Sequence, residues 1–178
     1  MESRKIALCG MMVGLGAAVM LLGGVIPVMT FCSPALAGLA LLPVLAEYGP
    51  KWALAAYVAI AALSLMLCPD KESALLFAFL GYYPVAKVYL DRLRSRPLRV
   101  ASKLALFNIA AGLMLLAVAY VFNMGAILSE YGEMSTALLV VFAVVANITF
   151  LLYDRLLAIA MALYHRRLRK IVFRGSRQ

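Results

Sequence analysis

Residues 33–50 read SPALAGLALLPVLAEYGP, and this stretch decides how often the chain crosses a membrane. Ser33 followed by Pro34 predicts the start of a helix, because serine caps the first turn and proline is tolerated there. Gly49 and Pro50 predict its end near residue 47. Its roughly 14 apolar residues at about 1.5 Å each span about 21 Å, less than the roughly 30 Å hydrocarbon core. The segment is therefore either a short crossing helix or a re-entrant segment.

The composition around this stretch excludes a water-soluble fold. Of 178 residues, 66% are hydrophobic and 14% charged, and the mean hydropathy is +0.98. Soluble domains are closer to half apolar and a quarter charged, so too little polar surface is available here to face water on all sides. The first apolar run, residues 6–31, exceeds the roughly 7–15 residues of a signal-peptide core, which predicts an uncleaved first helix. We therefore predict an all-α integral membrane protein of one domain, residues 1–178.

Six apolar segments follow one another along the chain, separated by proline, glycine or charged residues. Pro84 is expected to bend the fourth segment, because proline removes a backbone hydrogen bond. A basic loop, residues 92–103, precedes the fifth segment, and a basic cytoplasmic tail, residues 166–178, follows the sixth. The predicted helices cover about residues 5–28, 33–47, 51–67, 73–93, 101–124 and 135–165.

The distribution of basic residues favours six crossings over five. With six spans and a cytoplasmic N-terminus, 16 of the 17 lysines and arginines face the cytoplasm and only Lys71 lies outside. A re-entrant second segment would also place Arg4 and Lys5 outside, a 14-to-3 split that the positive-inside rule favours less. We predict a six-transmembrane-helix bundle in a bacterial cytoplasmic (inner) membrane, with both N and C termini cytoplasmic. The basic tail is expected to bind anionic lipid, and no nucleic-acid binding is predicted, because basic residues fall in short runs between apolar segments.

The sequence lacks the motifs of enzymes and metal sites. His165 is the single histidine and lies in a basic run, and no pair of carboxylates has catalytic spacing. No glycine-rich phosphate loop, metalloprotease motif or serine nucleophile elbow occurs. We therefore predict that the chain is not an enzyme and holds no cofactor or metal.

Polar residues within the apolar segments are expected to face the bundle interior, because exposing them to lipid is costly. Lys87 and Asp91 share a helix face near the predicted inner boundary, and Asp154 lies near that boundary in the last segment. We expect these three to pair with one another or extend toward the membrane surface. Asn108 and Asn147 are expected to hydrogen-bond between helices.

A second polar group lies at the predicted outer end, where the short second helix and the apolar loop before it indicate a depression open to the outside. An aromatic and largely uncharged site suits a flat, mostly neutral small molecule. Cys32 and Cys68 form a disulfide there or remain free thiols, and the sequence leaves both open. The residues predicted to line the site are Tyr120, Asn123, Glu130, Tyr131 and Cys32.

Small residues recur every four positions on the first helix, at Gly10, Gly14 and Ala18. This spacing lets another helix approach closely. The approaching helix belongs either to the same chain or to a partner protein.

Several stretches together resemble the substrate-binding S-components of energy-coupling factor transporters. The resemblance covers nearly the whole chain, and its motifs are RKIAL at residues 4–8, SPALAG at 33–38, YGPK at 48–51, CPD at 68–70 and GYYPVAK at 81–87. It implies a six-helix subunit that captures a vitamin or similar small molecule and docks on a membrane coupling (T) subunit powered by two cytoplasmic ATPases. It also implies that Gly10, Gly14 and Ala18 form the docking face. The alternative is a non-transporting structural or assembly protein that acts through helix and tail contacts.

Overall fold

A computed structural model describes residues 2–25, 29–120 and 136–168, with only the backbone for residues 118–120, 136, 167 and 168. All regular secondary structure in these ranges is helical, which confirms the all-α fold. Five helical stretches are long and apolar enough to cross a membrane, namely Glu2–Gly23, Pro50–Leu67, Lys71–Leu90, Arg96–Ala117 and Ala137–Arg166. The helices are α1 Glu2–Gly23, α2 Cys32–Tyr48, α3 Pro50–Leu67, α4 Lys71–Leu80, α5 Tyr83–Leu90, α6 Arg96–Tyr120 and α7 Thr136–Leu163, followed by a π-helical turn, Tyr164–Leu168.

The short helix α2 lies at the centre of the bundle. Its 17 residues correspond to about 25 Å, and it contacts α1, α3, α4, α5 and α7. Ser33 at its start and Val44 and Leu45 near its end are buried, as are most residues between them. Protein rather than lipid therefore surrounds most of α2. For this reason the helix can be shorter than the hydrocarbon core of the membrane.

A single glycine joins α2 to α3. Gly49 has φ of 83°, in the left-handed region that favours glycine because a Cβ atom would clash there. Pro50 follows as the first residue of α3, where its missing amide hydrogen costs nothing. The tight turn keeps α2 and α3 antiparallel and in contact.

The predicted fourth helix is two helices in the structure. The Asp70 carboxylate caps α4 by accepting hydrogen bonds from the amides of Glu72 and Ser73, at 3.0 and 3.4 Å. Pro84 cannot donate to the carbonyl four residues back, so the helix breaks before it and restarts as α5. The Val85 amide instead bonds the Tyr82 carbonyl, three residues back, at 3.0 Å.

Helix α6 begins at Arg96, within the segment predicted to be a basic loop. Pro97 lies in its first turn, where proline stabilises a helix start rather than ending one. The second half of that basic segment is therefore helical, and its charged residues have fixed positions on α6.

Helix α1 has two different faces. Gly16, Met20 and Gly23 are buried against the neighbouring helices α2 and α3. Gly10, Gly14 and Ala18 are exposed and lie about 150° around the helix axis from the buried face, at 3.6 residues per turn. We call these three residues the small-residue face.

The two faces predict opposite effects of the same substitution. A Cβ at Gly23 would overlap the Ser33 side chain, lying only 2.6 Å from its Oγ, whereas a Cβ at Gly14 meets nothing within 4 Å. Gly23→Ala is expected to lower the free energy of unfolding by about 1–3 kcal/mol through overpacking. Gly14→Ala should be neutral or stabilise by up to about 1 kcal/mol through helix propensity. Unfolding of both variants in one detergent measures the difference, and equal effects would contradict this packing of α1 on α2.

Candidate functional site

Charged side chains of α5, α6 and α7 meet at one end of the bundle. Asp154 on α7 forms ion pairs with Lys87 on α5 and with Lys103 on α6, and the Lys103 Nζ lies 3.0 Å from each Asp154 carboxylate oxygen. Lys103 Nζ also lies 2.7 Å from Asp91 Oδ1, and Lys87 Nζ lies 3.9 Å from Asp91 Oδ2. The Tyr83 hydroxyl donates a hydrogen bond to Asp154 Oδ1 at 2.6 Å. We call these five residues the charge network and this end of the molecule the basic end.

The charge network is largely removed from solvent. The side chains of Lys103, Lys87 and Asp154 are 6%, 12% and 17% exposed, whereas Asp91 is 40% exposed. Lys87 Nζ also donates to the Asp154 backbone carbonyl at 2.9 Å. Two lysines balance two aspartates, so the buried charges compensate one another. The expected pairing of Lys87, Asp91 and Asp154 is confirmed.

An aromatic layer holds the charge network in place. The Tyr83 ring packs edge-on against Phe150, with ring centroids 4.7 Å apart, and Phe107 stacks on Phe150 at 4.5 Å. Tyr83, Phe107 and Phe150 come from α5, α6 and α7, the three helices that carry the charges. Aromatic stacking and ion pairing therefore connect the same three helices, α5, α6 and α7.

A depression of about 690 Å³ opens beside the charge network. Besides the four charged residues of the network, three arginines line it, Arg96 and Arg99 from α6 and Arg155 from α7. Its remaining wall is apolar and consists of Val100, Ala158 and Ile159.

Lys103 and these arginines were not predicted as a cluster. Arg96, Arg99 and Lys103 recur at three- and four-residue spacing, which places them on one face of a helix. The spacing is visible in the sequence, but it places the three residues on one helix face only if the helix begins at Arg96 instead of near residue 101.

Two asparagines connect α6 and α7 farther along the bundle. Asn108 Nδ2 donates to Asn147 Oδ1 at 2.9 Å, and Asn147 Nδ2 lies 3.4 Å from Asn108 Oδ1. Each Nδ2 also donates to the carbonyl four residues earlier in its own helix, at 2.8 Å. The expected hydrogen bond between these helices is confirmed.

The opposite end is formed where α1 and α3 end and α2 and α4 begin. Ser33 and Ser73 hydroxyls lie 3.3 Å apart there, and Cys68 Sγ donates to the Met20 carbonyl at 3.4 Å. Cys68 is buried and Cys32 is exposed, and both are free thiols in the structure. Of the two alternatives, a disulfide or two free thiols, the structure shows two free thiols.

The predicted ligand site falls largely outside the described residues. Cys32 is the first residue of α2 and is exposed, and Tyr120 is the last residue of α6, for which only the backbone is described. Asn123, Glu130 and Tyr131 lie outside the described residues. The grouping of these five residues around a ligand stays a prediction.

The small-residue face is not covered by the part of the chain that the structure describes. Gly10, Gly14 and Ala18 are exposed, and nothing lies within 4 Å of a Cβ built at Gly10 or Gly14. Within residues 2–25, 29–120 and 136–168, the surface at Gly10 and Gly14 is therefore open to a partner helix.

The helices and the charge network together define an all-α membrane protein. Comparison of the chain with protein-family models, with curated proteins and with solved structures gives no match. No group of three or more His, Cys, Asp or Glu side chains in the described ranges is arranged to hold a metal ion.

Proposed function

We propose that the chain is a solute-binding subunit of a multisubunit importer, similar to the S-components of energy-coupling factor transporters. It captures a vitamin or similar small molecule and docks in the membrane on a coupling subunit, and two cytoplasmic ATPases supply the energy. The observation that carries this proposal is the small-residue face of α1, which is exposed while the other face of the same helix packs on α2 and α3.

The proposed docking is a close contact between α1 and a helix of the coupling subunit. Gly10 and Gly14 have no side chain, so the backbone of a partner helix can approach α1 closely along this stripe. Without a partner, lipid tails would fill the same shallow surface with poorer complementarity, because tails do not match a fixed groove. A coupling helix that fits the stripe therefore gains van der Waals contact that lipid does not provide.

The proposal includes six crossings with both termini in the cytoplasm of a bacterial inner membrane. The path of α2 supports the sixth crossing, because Ser33 near its start contacts Ser73 at one end of the bundle. Glu47 near its end accepts a hydrogen bond from Tyr164 at 3.4 Å, beyond α7 at the other end. With this orientation the basic end faces the cytoplasm, in agreement with the positive-inside rule.

The proposed ligand site lies at the opposite, outer end and is lined by Tyr120, Asn123, Glu130, Tyr131 and Cys32. Cys32 begins the central helix α2 and is exposed there, so its side chain is available to a ligand from outside. Helices α1, α2, α3 and α4 meet beside it through Ser33, Ser73 and Cys68.

Ligand binding tests this part of the proposal. The purified chain is melted in detergent with each member of a vitamin panel, and native mass spectrometry identifies small molecules that copurify. A ligand at a hundredfold excess over its dissociation constant is expected to add about 2.7 kcal/mol to the free energy of unfolding. The variant Asn123→Ala should lose most of this stabilisation without a lower melting temperature in the absence of ligand. A panel with no stabilising compound, together with no copurified molecule, would remove the support for solute capture.

A second candidate function is a structural or assembly protein without a ligand. It is favoured by α7, where residues 137–145 are exposed on every side of the helix and are all apolar. Exposed apolar surface of this kind is suited to contact with lipid or with another membrane protein. Affinity purification separates the two functions, because an assembly protein copurifies with membrane partners that lack ATPases.

A further inference from the structure

The depression at the basic end carries an unbalanced positive charge. Its lining includes five cationic side chains and two carboxylates, Asp91 and Asp154. Both carboxylates are engaged by Lys87 and Lys103, and among the described residues no ion pair includes one of the three arginines. The depression therefore has a net formal charge of +3 contributed by Arg96, Arg99 and Arg155.

The arginines leave donors available to a ligand. Arg99 is half-buried, and its Nη2 donates to the Leu93 carbonyl at 3.1 Å, while its Nε is buried without a partner. A buried donor without an acceptor costs free energy, and the Arg99 side chain lines the depression. Arg96 on α6 and Arg155 on α7 are exposed and line the depression. A ligand between the two helices can therefore contact an arginine from each of them.

The apolar wall distinguishes a lipid from a small anion. Val100 and Ile159 are 45% and 58% exposed, and they continue the apolar outer surfaces of α6 and α7. A free phosphate ion gains nothing from this wall, whereas an acyl chain that descends from a headgroup can pack along it. The volume of about 690 Å³ admits a headgroup of moderate size.

From this geometry we propose that the depression between α5, α6 and α7 binds the phosphodiester headgroup of an anionic phospholipid. The phosphate lies between Arg96, Arg99 and Arg155, where guanidinium groups can form paired hydrogen bonds with its oxygens. The charge network lies behind it and keeps two further lysine charges neutralised. The acyl chains leave along Val100, Ala158 and Ile159. This site is separate from the basic tail and does not depend on the proposed transport function.

The test compares two double variants that remove the same charge from the same end of the chain. Arg96→Gln with Arg155→Gln removes the two exposed arginines of the depression, which have no other ion-pair partner in the described residues. Arg92→Gln with Arg94→Gln removes two exposed arginines of the loop between α5 and α6 that do not line it. Each protein is titrated in detergent with dioleoylphosphatidylglycerol, with dioleoylphosphatidylcholine and with inorganic phosphate, and bound molecules are counted by native mass spectrometry.

The unmodified chain is expected to retain phosphatidylglycerol in preference to phosphatidylcholine. Its dissociation constant for phosphatidylglycerol should rise on the order of tenfold or more in the Arg96 and Arg155 variant, as expected for the loss of charge-assisted hydrogen bonds. In the loop variant the change should stay below about twofold, because neither Arg92 nor Arg94 lines the depression. Equal retention of both lipids, or equal losses in the two variants, would overturn the proposal. Binding of inorganic phosphate that displaces the lipid at equal affinity would assign the site to a free anion instead and would overturn it as well.

Discussion

Replacing Asp154 by alanine is expected to lower the free energy of unfolding by about 3–5 kcal/mol, the usual cost of removing one partner from a buried ion pair. The substitution leaves Lys87 and Lys103, which are 12% and 6% exposed, with only Asp91 as a carboxylate partner. It also removes the acceptor of the Tyr83 hydroxyl. Unfolding in detergent, followed by circular dichroism, measures the change.

Asp91→Ala is the matched control for this prediction. Asp91 contacts the same two lysines, but its side chain is 40% exposed, so water can replace it. Its loss should cost clearly less than the loss of Asp154, because Lys87 and Lys103 both keep the Asp154 carboxylate as a partner. A triple variant, Lys87→Met with Lys103→Met and Asp154→Leu, should recover most of the stability, because no buried charge remains unpaired. Equal losses for Asp154→Ala and Asp91→Ala would show that the burial of Asp154 has no energetic consequence.

Replacing Gly14 by leucine is expected to reduce binding of the coupling subunit by roughly tenfold to a hundredfold, the effect of about 1–3 kcal/mol of overpacking at a close helix contact. Gly14 is exposed and a Cβ there meets nothing within 4 Å, so the fold should tolerate the larger side chain. The measurement is the amount of ATPase that copurifies with the chain when coupling subunit and ATPases are coexpressed with it.

Gly112→Leu on α6 provides the control for the docking prediction. Gly112 is also an exposed helical glycine with nothing within 4 Å of a Cβ, but it lies on a different helix. This variant should copurify with the same amount of ATPase as the unmodified chain. Melting temperatures of both leucine variants should match that of the unmodified chain. Equal losses of ATPase in the two variants would argue against a docking role for the small-residue face.

The sequence alone predicted the features that depend on local pattern or on charge. The apolar content predicted an all-α membrane protein, and the structure confirms this. Spacing of four residues placed Lys87 and Asp91 on one face. These two and Asp154 were expected either to pair or to extend toward the membrane surface, and the structure shows that Lys87 pairs with both aspartates. The same reasoning expected Asn108 and Asn147 to hydrogen-bond to other helices, and the structure shows that each is the other's partner.

Features that depend on tertiary packing were not predictable in the same way. The apolar pattern of α2 is equally compatible with a lipid-facing helix, and only the assembled bundle shows that five other helices contact it. Pro84 was expected to bend one helix, and the structure has a break of two residues, Gly81 and Tyr82, between α4 and α5. The fifth helix was predicted to begin near residue 101, whereas it begins at Arg96, with Pro97 in its first turn.

The order in which the chain is synthesised gives the charge network a further role. Lys87, Asp91 and Lys103 enter the membrane before Asp154, which follows Lys103 by 51 residues. Until α7 has been inserted, Lys87 and Lys103 share the single carboxylate of Asp91. The arrival of α7 supplies the second carboxylate and completes charge neutralisation between helices that are already inserted. The charges that join α5 and α6 are therefore balanced only after α7 has been synthesised.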